Sequence, residues 1–398
     1  MVEATQQVNS VEAGADPLTA ALRQEARGWL ETMLREELAV VLGGARHERT
    51  GARHGYRHGT RPRTVTTGLG PVGVAVPRGR LQTPTGEQEW QSQLLPRYAR
   101  RARAVDAALV GLYCAGTNTR RLKRALQTLL GGGPVSRSAV SRVVAGLQAQ
   151  YQAWRQRDLS GLGVVYVYLD AMHVKVRVLK RMAPLPVQAA VGVLADGQKV
   201  LLDLAVYASE SGAAWGDFLE RLTARGLPRP ALVIGDGSKG LEAALARVWP
   251  GVLVQRCVVH KLRNLAAYCP KRLYPAVRAD YHRIVYATNE PEARRAWLRF
   301  TARWGRELPQ VVTSLEEAGP ALLTFFQFPP SQWKTLRTTN AIERVIEEGR
   351  RRIKTQGVLP NVGAVVTILY GLVATGQLVL RRIDGYQDLG KVLNRTAA

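Results

Sequence analysis

Apolar positions along the chain change period several times. From Pro17 to Leu42 they recur at three- and four-residue spacing, which predicts a short amphipathic helix behind a leader. Residues 46–80 then alternate within a background of Arg, His and Gly, giving two short β-like runs across a Gly-Pro turn, a basic β-ribbon. Helical spacing returns over Arg100–Cys114 and Thr119–Leu130, and a third helix starts at Ser136, whose hydroxyl is placed to cap it. Near Gly161 the period drops. Val164–Leu169 is a continuous apolar run ending on Asp170, "HVKVRV" continues it in alternation, and Val187–Leu194 and Val200–Tyr207 flank the Asp196-Gly197 hairpin signal. A helix through Trp215, Phe218, Leu219 and Leu222 follows, then a strand (Ala231–Gly235), a helix (Leu241–Val248) and a strand (Val252–Cys257). Residues 261–335 turn helical, and a last helix starts at Asn340.

Three antiparallel strands, then helix, strand, helix, strand, is the element order of a ribonuclease H-like α/β core; a dinucleotide-binding domain would instead open with a β-α-β unit. The helix, glycine turn and helix around Gly131 read as a helix-turn-helix. Its last helix opens with Arg137, Ser138, Ser141 and Arg142, short polar and cationic side chains that suit the major groove. An ordinary helical bundle with a solvated face is the alternative. Val362–Leu380 is uncharged but carries three glycines, two threonines and Gln377, so it reads as a buried C-terminal helix rather than a membrane span.

Charge sharpens this picture. The 398 residues hold 56 Lys and Arg against 31 Asp and Glu, a formal net charge of +25, while the hydrophobic (46%) and charged (22%) fractions are those of an ordinary globular chain. A polyanionic partner is expected. Cys114, Cys257 and Cys269 lack disulfide-framework spacing, and residues 1–16 lack the apolar core of a secretory signal, so a cytoplasmic, nucleoid-associated protein is expected.

The stretch "VIGDGSKGLEAAL" from Val233 spells G-x-G-x-x-G at Gly235, Gly237 and Gly240. A pyrophosphate loop keeps negative charge away from its amides, yet Asp236 sits inside this one, and no acid lies between Glu242 and Asp280 to hold a ribose. The glycines instead let a strand end sharply and present Asp236. On the neighbouring strand of the expected fold stands Asp170, and two hard oxygen donors on one sheet face suit Mg²⁺. Glu343 could supply a third, but Asn340 and Glu343 also have capping-box spacing, so a merely structural Glu343 remains open. Lys175, Arg177, Arg350, Arg351 and Lys354 are candidates for phosphate contacts.

In order along the chain, "GYRHGTRPR", "VPRGR", "YLDAMHVKVR", Trp215, "RGL", "GDGSKGL", "QRCVVHKLRNL" and "TTNAIE" make the sequence closely resemble the Mutator-type transposases of bacterial insertion sequences, within the Asp-Asp-Glu class. The resemblance implies a catalytic, metal-binding triad of Asp170, Asp236 and Glu343 on a ribonuclease H-like core. Two Mg²⁺ (or Mn²⁺) ions would serve hydrolysis and strand transfer at one site. It also implies a C-x-x-H pair, Cys257 and His260, packed beside the acids, with His260, Lys261, Arg263 and Asn264 touching DNA or ordering the site. The expected organisation is a leader and short helix (1–45), a DNA-binding region (46–158), the first part of the core (159–265), a mostly α-helical insertion (266–335) and the C-terminal core helices (336–398). Double-stranded DNA, as element ends and target, is the expected partner of a homodimer without membrane association. A structure-selective nuclease or a catalytically silent DNA-binding repressor is the rival reading.

Overall fold

The computed structural model describes residues 16–48, 51, 53–118, 121–122, 136–178, 181–356, 359 and 361–397. The helix expected over Thr119–Leu130 and the glycine turn after it fall almost wholly outside these residues. The chain forms two compact units, Met1–Tyr113 with Thr117–Ala145, and Cys114–Gly116 with Gly146–Ala398.

The first unit opens with α1 (Pro17–Leu42), 26 residues with the bounds expected from the sequence. Asp16 caps it by accepting the Leu18 N–H at 3.1 Å, and Gly43, at φ 73°, ends it by donating to the Ala39 and Val40 carbonyls. Its buried face, Leu34, Leu38 and Leu42, follows i, i+4, i+8 spacing, and the last two pack on Trp90 and Leu81. Strands β1 (Gly55–Thr67) and β2 (Gly70–Thr83) pair antiparallel, and β3 (Gly86–Glu89) adds to β2. The ribbon is longer than its sequence promises because Pro62, Pro71 and Pro77, which interrupt a strand pattern, all sit within the ladder. The turn lies at Gly68-Leu69, between the paired Thr67 and Gly70, and not at Gly70-Pro71. Helix α2 covers Arg103–Cys114, and α3 covers Arg137–Arg155, with Ser136 Oγ accepting the Ala139 N–H at 3.1 Å.

The second unit is built on a five-stranded sheet. Its strands are β4 (Val164–Val178), β5 (Arg181–Leu194), β6 (Lys199–Val206), β7 (Leu232–Gly235) and β8 (Val254–Arg256), in the order β6-β5-β4-β7-β8. β4, β5 and β6 pair antiparallel, whereas β4 with β7 and β7 with β8 are parallel. β5 starts at Arg181 rather than Val187, since Pro184 and Pro186 mask the strand in sequence while pairing with Lys175 and His173. α4 (Gly212–Ala224) and α5 (Lys239–Val248) cover one face, where Trp215, Phe218, Leu219, Leu241 and Leu245 close on Val167, Leu169 and Val233. Each such large buried side chain contributes roughly 1.5–3 kcal/mol.

Side chains alternate across a strand, so Tyr166, Tyr168, Asp170 and Met172 share the other face. There the Tyr166 hydroxyl donates to Gln332 Oε1 at 2.6 Å and the Tyr168 hydroxyl to the Thr335 carbonyl at 3.3 Å. Helices α6 (Val258–Ala267), α7 (Tyr274–Val285), α8 (Glu290–Trp304) and α9 (Pro309–Ala318) follow the sheet, then α10 (Asn340–Gln356), α11 (Val362–Ala374) and α12 (Leu389–Ala397). α11 buries Val365, Val366, Ile368, Leu369 and Leu372, and no helix among the described residues is long and apolar enough to cross a membrane.

Candidate active site

Asp170 stands in the middle of β4, 7% exposed, with Oδ1 accepting the Ala171 N–H at 2.8 Å. The parallel partner β7 ends at Gly235, and Asp236 follows at once. Each glycine of the motif serves the backbone. A Cβ at Gly235 would lie 2.8 Å from Leu241 Cδ2, one at Gly240 would lie 3.0 Å from the Gly212 nitrogen, and Gly237 holds φ +76°. Asp236 Oδ1 accepts the Ser238 N–H at 3.0 Å, so the turn is folded around the acid.

Glu343 lies in the first turn of α10. The Thr339 carbonyl accepts the Glu343 N–H at 2.9 Å, so Thr339 is the cap, the helix starts at Asn340 as expected, and Asn340 and Glu343 do not form the capping box. Glu343 Oε1 instead faces His260 Nε2 and Arg263 Nη1, each at 3.5 Å. Thr339, absent from the sequence-based list, ties the helix start to the chain after β8: its N–H and hydroxyl both donate to Cys257 Sγ at 3.3 Å, and its hydroxyl lies 3.5 Å from His260 Nδ1.

Farther along α10, a Cβ on Gly349 would fall 2.0 Å from Leu369 Cδ2 and 3.8 Å from Met172 Cε, so the bare glycine sets how closely this helix approaches β4 and α11. Gly349→Ala is expected to destabilise by about 1–3 kcal/mol through overpacking. If the helix carries Glu343 with it, DNA cleavage falls further than the unfolded fraction explains, which a urea midpoint and a single-turnover rate measured together would reveal.

The acids share one electrostatic field. Burial pushes the Asp170 carboxyl up to about 7, and the charges of Asp236 and Glu343 add to this against His260 and the Ala171 N–H. The hydrogen bond with Cys257 raises His260 to about 9, with help from Asp170 and Glu343 and against its own burial. Burial pushes the Cys257 thiol up, but His260 and Thr339 together bring it below its ordinary value. Glu210 was invisible in sequence, in an unremarkable "SESG" loop. Burial raises it, with Asp236 pushing up and His173 pulling down, because the loop packs where Gly212 meets Gly240.

Among the described residues no three or more His, Cys, Asp or Glu side chains converge into a ready-made cation site. Mg²⁺ does not need one, since it is usually held by one or two carboxylates with water and substrate phosphates, and hard, mutually repelling carboxylates fit that demand.

The cationic candidates divide. Lys175 and Arg177 are exposed on the face of β4 opposite Asp170, and Arg263, Arg350 and Lys354 are exposed on α6 and α10, whereas Arg351 pairs with Glu348 at 2.8 Å. Lys261 is not available to DNA. It is 1% exposed, and its Nζ donates to the Ser314 carbonyl at 2.8 Å. In the first unit Ser138, Ser141 and Arg142 are exposed at the opening of α3, while the Arg137 side chain lies outside the described part. Arg142 also lines a cavity with Arg61, Arg63, Arg78, Arg97, Arg100 and Arg101. Arg78 is paired with Glu89 at 3.2 Å and Arg101 with Asp106 at 2.6 Å, but Arg61 and Arg100 have no ion-pair partner among the described residues. Burial lowers the Arg63 pKa, and the charges of Arg61 and Arg100 lower it further.

The family profile "Transposase, Mutator family" matches residues 2–377. The transposase for insertion sequence element IS406 of Burkholderia multivorans is 35% identical over 85% of this chain and 86% of its own length. That for ISRM5 of Rhizobium meliloti is 32% identical over 88% and 86%, and that for IS1081 of Mycobacterium tuberculosis is 32% identical over 96% and 92%. A solved Drosophila P element transposase strand transfer complex aligns with 73% of this chain and 85% of that one, at 12% identity and a TM-score of 0.29, too loose a superposition to bear on the fold. With a profile over residues 2–377 and relatives aligned over most of both chains, the chain belongs to the Mutator family of transposases.

Proposed function

We propose that the protein binds the ends of its own insertion sequence and cuts and joins DNA at Asp170, Asp236 and Glu343 on a ribonuclease H-like core. The observation that carries this reading is the placement of Asp170 on β4, of Asp236 directly after the parallel neighbour β7, and of Glu343 in the first turn of α10, which packs against β4 at Gly349. Magnesium or manganese ions held by these acids would supply Lewis acidity, making water or a hydroxyl nucleophilic and neutralising charge on the leaving oxygen. The chain's residues do the rest. His260, protonated through neutral pH, lowers the cost of ionising the buried Asp170 carboxyl. Arg263, Arg350 and Lys354 offer phosphate contacts along α6 and α10. Hydrolysis at the element's end frees a 3′ hydroxyl, which attacks a target phosphodiester in the same pocket, so one site serves both reactions.

The unpaired arginines of the first unit suit the backbone of an element end. Replacing Arg61 and Arg100 together by Ala is expected to flatten the dependence of log K on log salt by about 0.9 per lost phosphate contact. The reaction itself is tested by incubating the protein with a labelled end, a target plasmid and Mg²⁺. Joined products support transposition, cut products alone indicate a nuclease, and a shifted but intact end leaves a DNA-binding protein.

A further inference from the structure

We propose that Arg256 is a positioning residue that sets Asp236 in place by gripping the turn behind it; the proposal rests on the reading of Asp236 as a metal-holding acid. Arg256 ends β8 with only 3% of its surface exposed. Its Nη2 donates to the Gly237 carbonyl at 2.9 Å and its Nη1 to the Glu317 carbonyl at 3.0 Å. The guanidinium lies against the bare Cα of Gly237, where a Cβ would stand 2.0 Å from Nε.

Stability alone gives little reason for this arrangement. Nε has no hydrogen-bond partner, and the nearest carboxylates, Glu242 at 3.6 Å and Glu317 at 4.0 Å, are themselves substantially exposed. A buried charge so matched costs desolvation that an apolar side chain of similar volume would avoid. What it provides is a fixed span between two backbone carbonyls, one beside Asp236 and one at the end of α9. That end is gripped a second time, by Lys261 Nζ on the Ser314 carbonyl at 2.8 Å, and cations suit the carbonyls of a helix C-terminus. The turn carrying Asp236 is therefore hung from a helix of the segment between the second and third acids.

The test compares Arg256→Gln, Arg256→Lys, Gly237→Ala and the Arg256→Gln/Gly237→Ala double variant. Amide exchange over residues 233–245 should quicken in Arg256→Gln and Gly237→Ala while β4 and β5 keep native protection. Single-turnover end cleavage should fall by about 100-fold, the usual consequence of a displacement near 1 Å, with affinity for the end unchanged within about twofold. Lys, which offers one compact ammonium, should recover part of the rate. The double variant should lose less than the product of the two single losses, because the shared contact is removed only once even though Gly237→Ala also strains the φ +76° backbone. Native exchange in the turn, or losses that multiply in the double variant, would overturn the proposal. Should Arg256→Gln fail to fold, Gly237→Ala and Arg256→Lys carry the comparison. Should the native protein not cut DNA, the proposed function fails while the exchange measurement still decides the grip.

Discussion

Replacing Asp170 by Asn should lower Mg²⁺-dependent end cleavage by about 10³-fold and, in the metal-free protein above pH 7, raise the melting temperature. Removal of one preorganised charge at a reacting centre has effects of that size. The stabilisation follows from the position of Asp170, 7% exposed and held at about 7 by burial and by Asp236 and Glu343. Ionising such a group costs on the order of 1.4 kcal/mol per unit of displacement, so about 4 kcal/mol in all, which a neutral amide of the same shape escapes. A variant dead in catalysis but more stable than native separates a functional carboxylate from a structural one. Loss of activity together with loss of stability would instead make Asp170 a fold residue. Affinity for the element's end should not change.

Stability of the metal-free protein should fall as pH rises from about 4 to about 7, opposite to the usual behaviour of salt-bridged acids. Between pH 4 and 7 the native state keeps the Asp170 proton that the unfolded chain has released. Native thus binds more protons than unfolded, and stability declines through that window. His260 alone would act in the same direction higher up, its stabilisation lost as pH rises through about 9, but Cys257, lowered by the same contact, releases its native proton early and opposes it, so the decline belongs to Asp170. Urea midpoints in EDTA at constant ionic strength should therefore decline across this range. Asp170→Asn should erase the decline, and Mg²⁺ at pH 8 should recover stability in the native protein but not in the variant. A midpoint that rises or stays flat from pH 5 to 8 would contradict the crowded-acid description.

Much of this architecture is legible in sequence because its signals are local and periodic. Val164–Leu169 reads as a buried strand and Asp196-Gly197 as a hairpin, and the glycines around Asp236 could be read as serving the backbone because an acid in the loop excludes a phosphate cradle. The early start of β5 was not legible, since Pro184 and Pro186 look like breakers until their partners on β4 are known. Lys261 shows the converse failure. In "HKLRNL" it resembles a DNA contact, and only the position of α9 reveals that its ammonium is buried against Ser314. Glu343 could not be resolved locally because capping spacing and triad position coincide, and the Thr339 to Cys257 contact that fixes the helix start spans 82 residues. Arg256, Thr339 and Glu210 belong to the same class: their partners are distant in sequence, so no window of the chain contains the reason for them.

Whether three carboxylates jointly hold divalent ions can be read by counting Mn²⁺ bound to the protein on its element's end, by electron paramagnetic resonance, in native and Asp236→Asn forms. The account predicts two tightly held ions in the native complex and loss of at least one in the variant, with DNA still bound. Equal Mn²⁺ occupancy in both forms would contradict it.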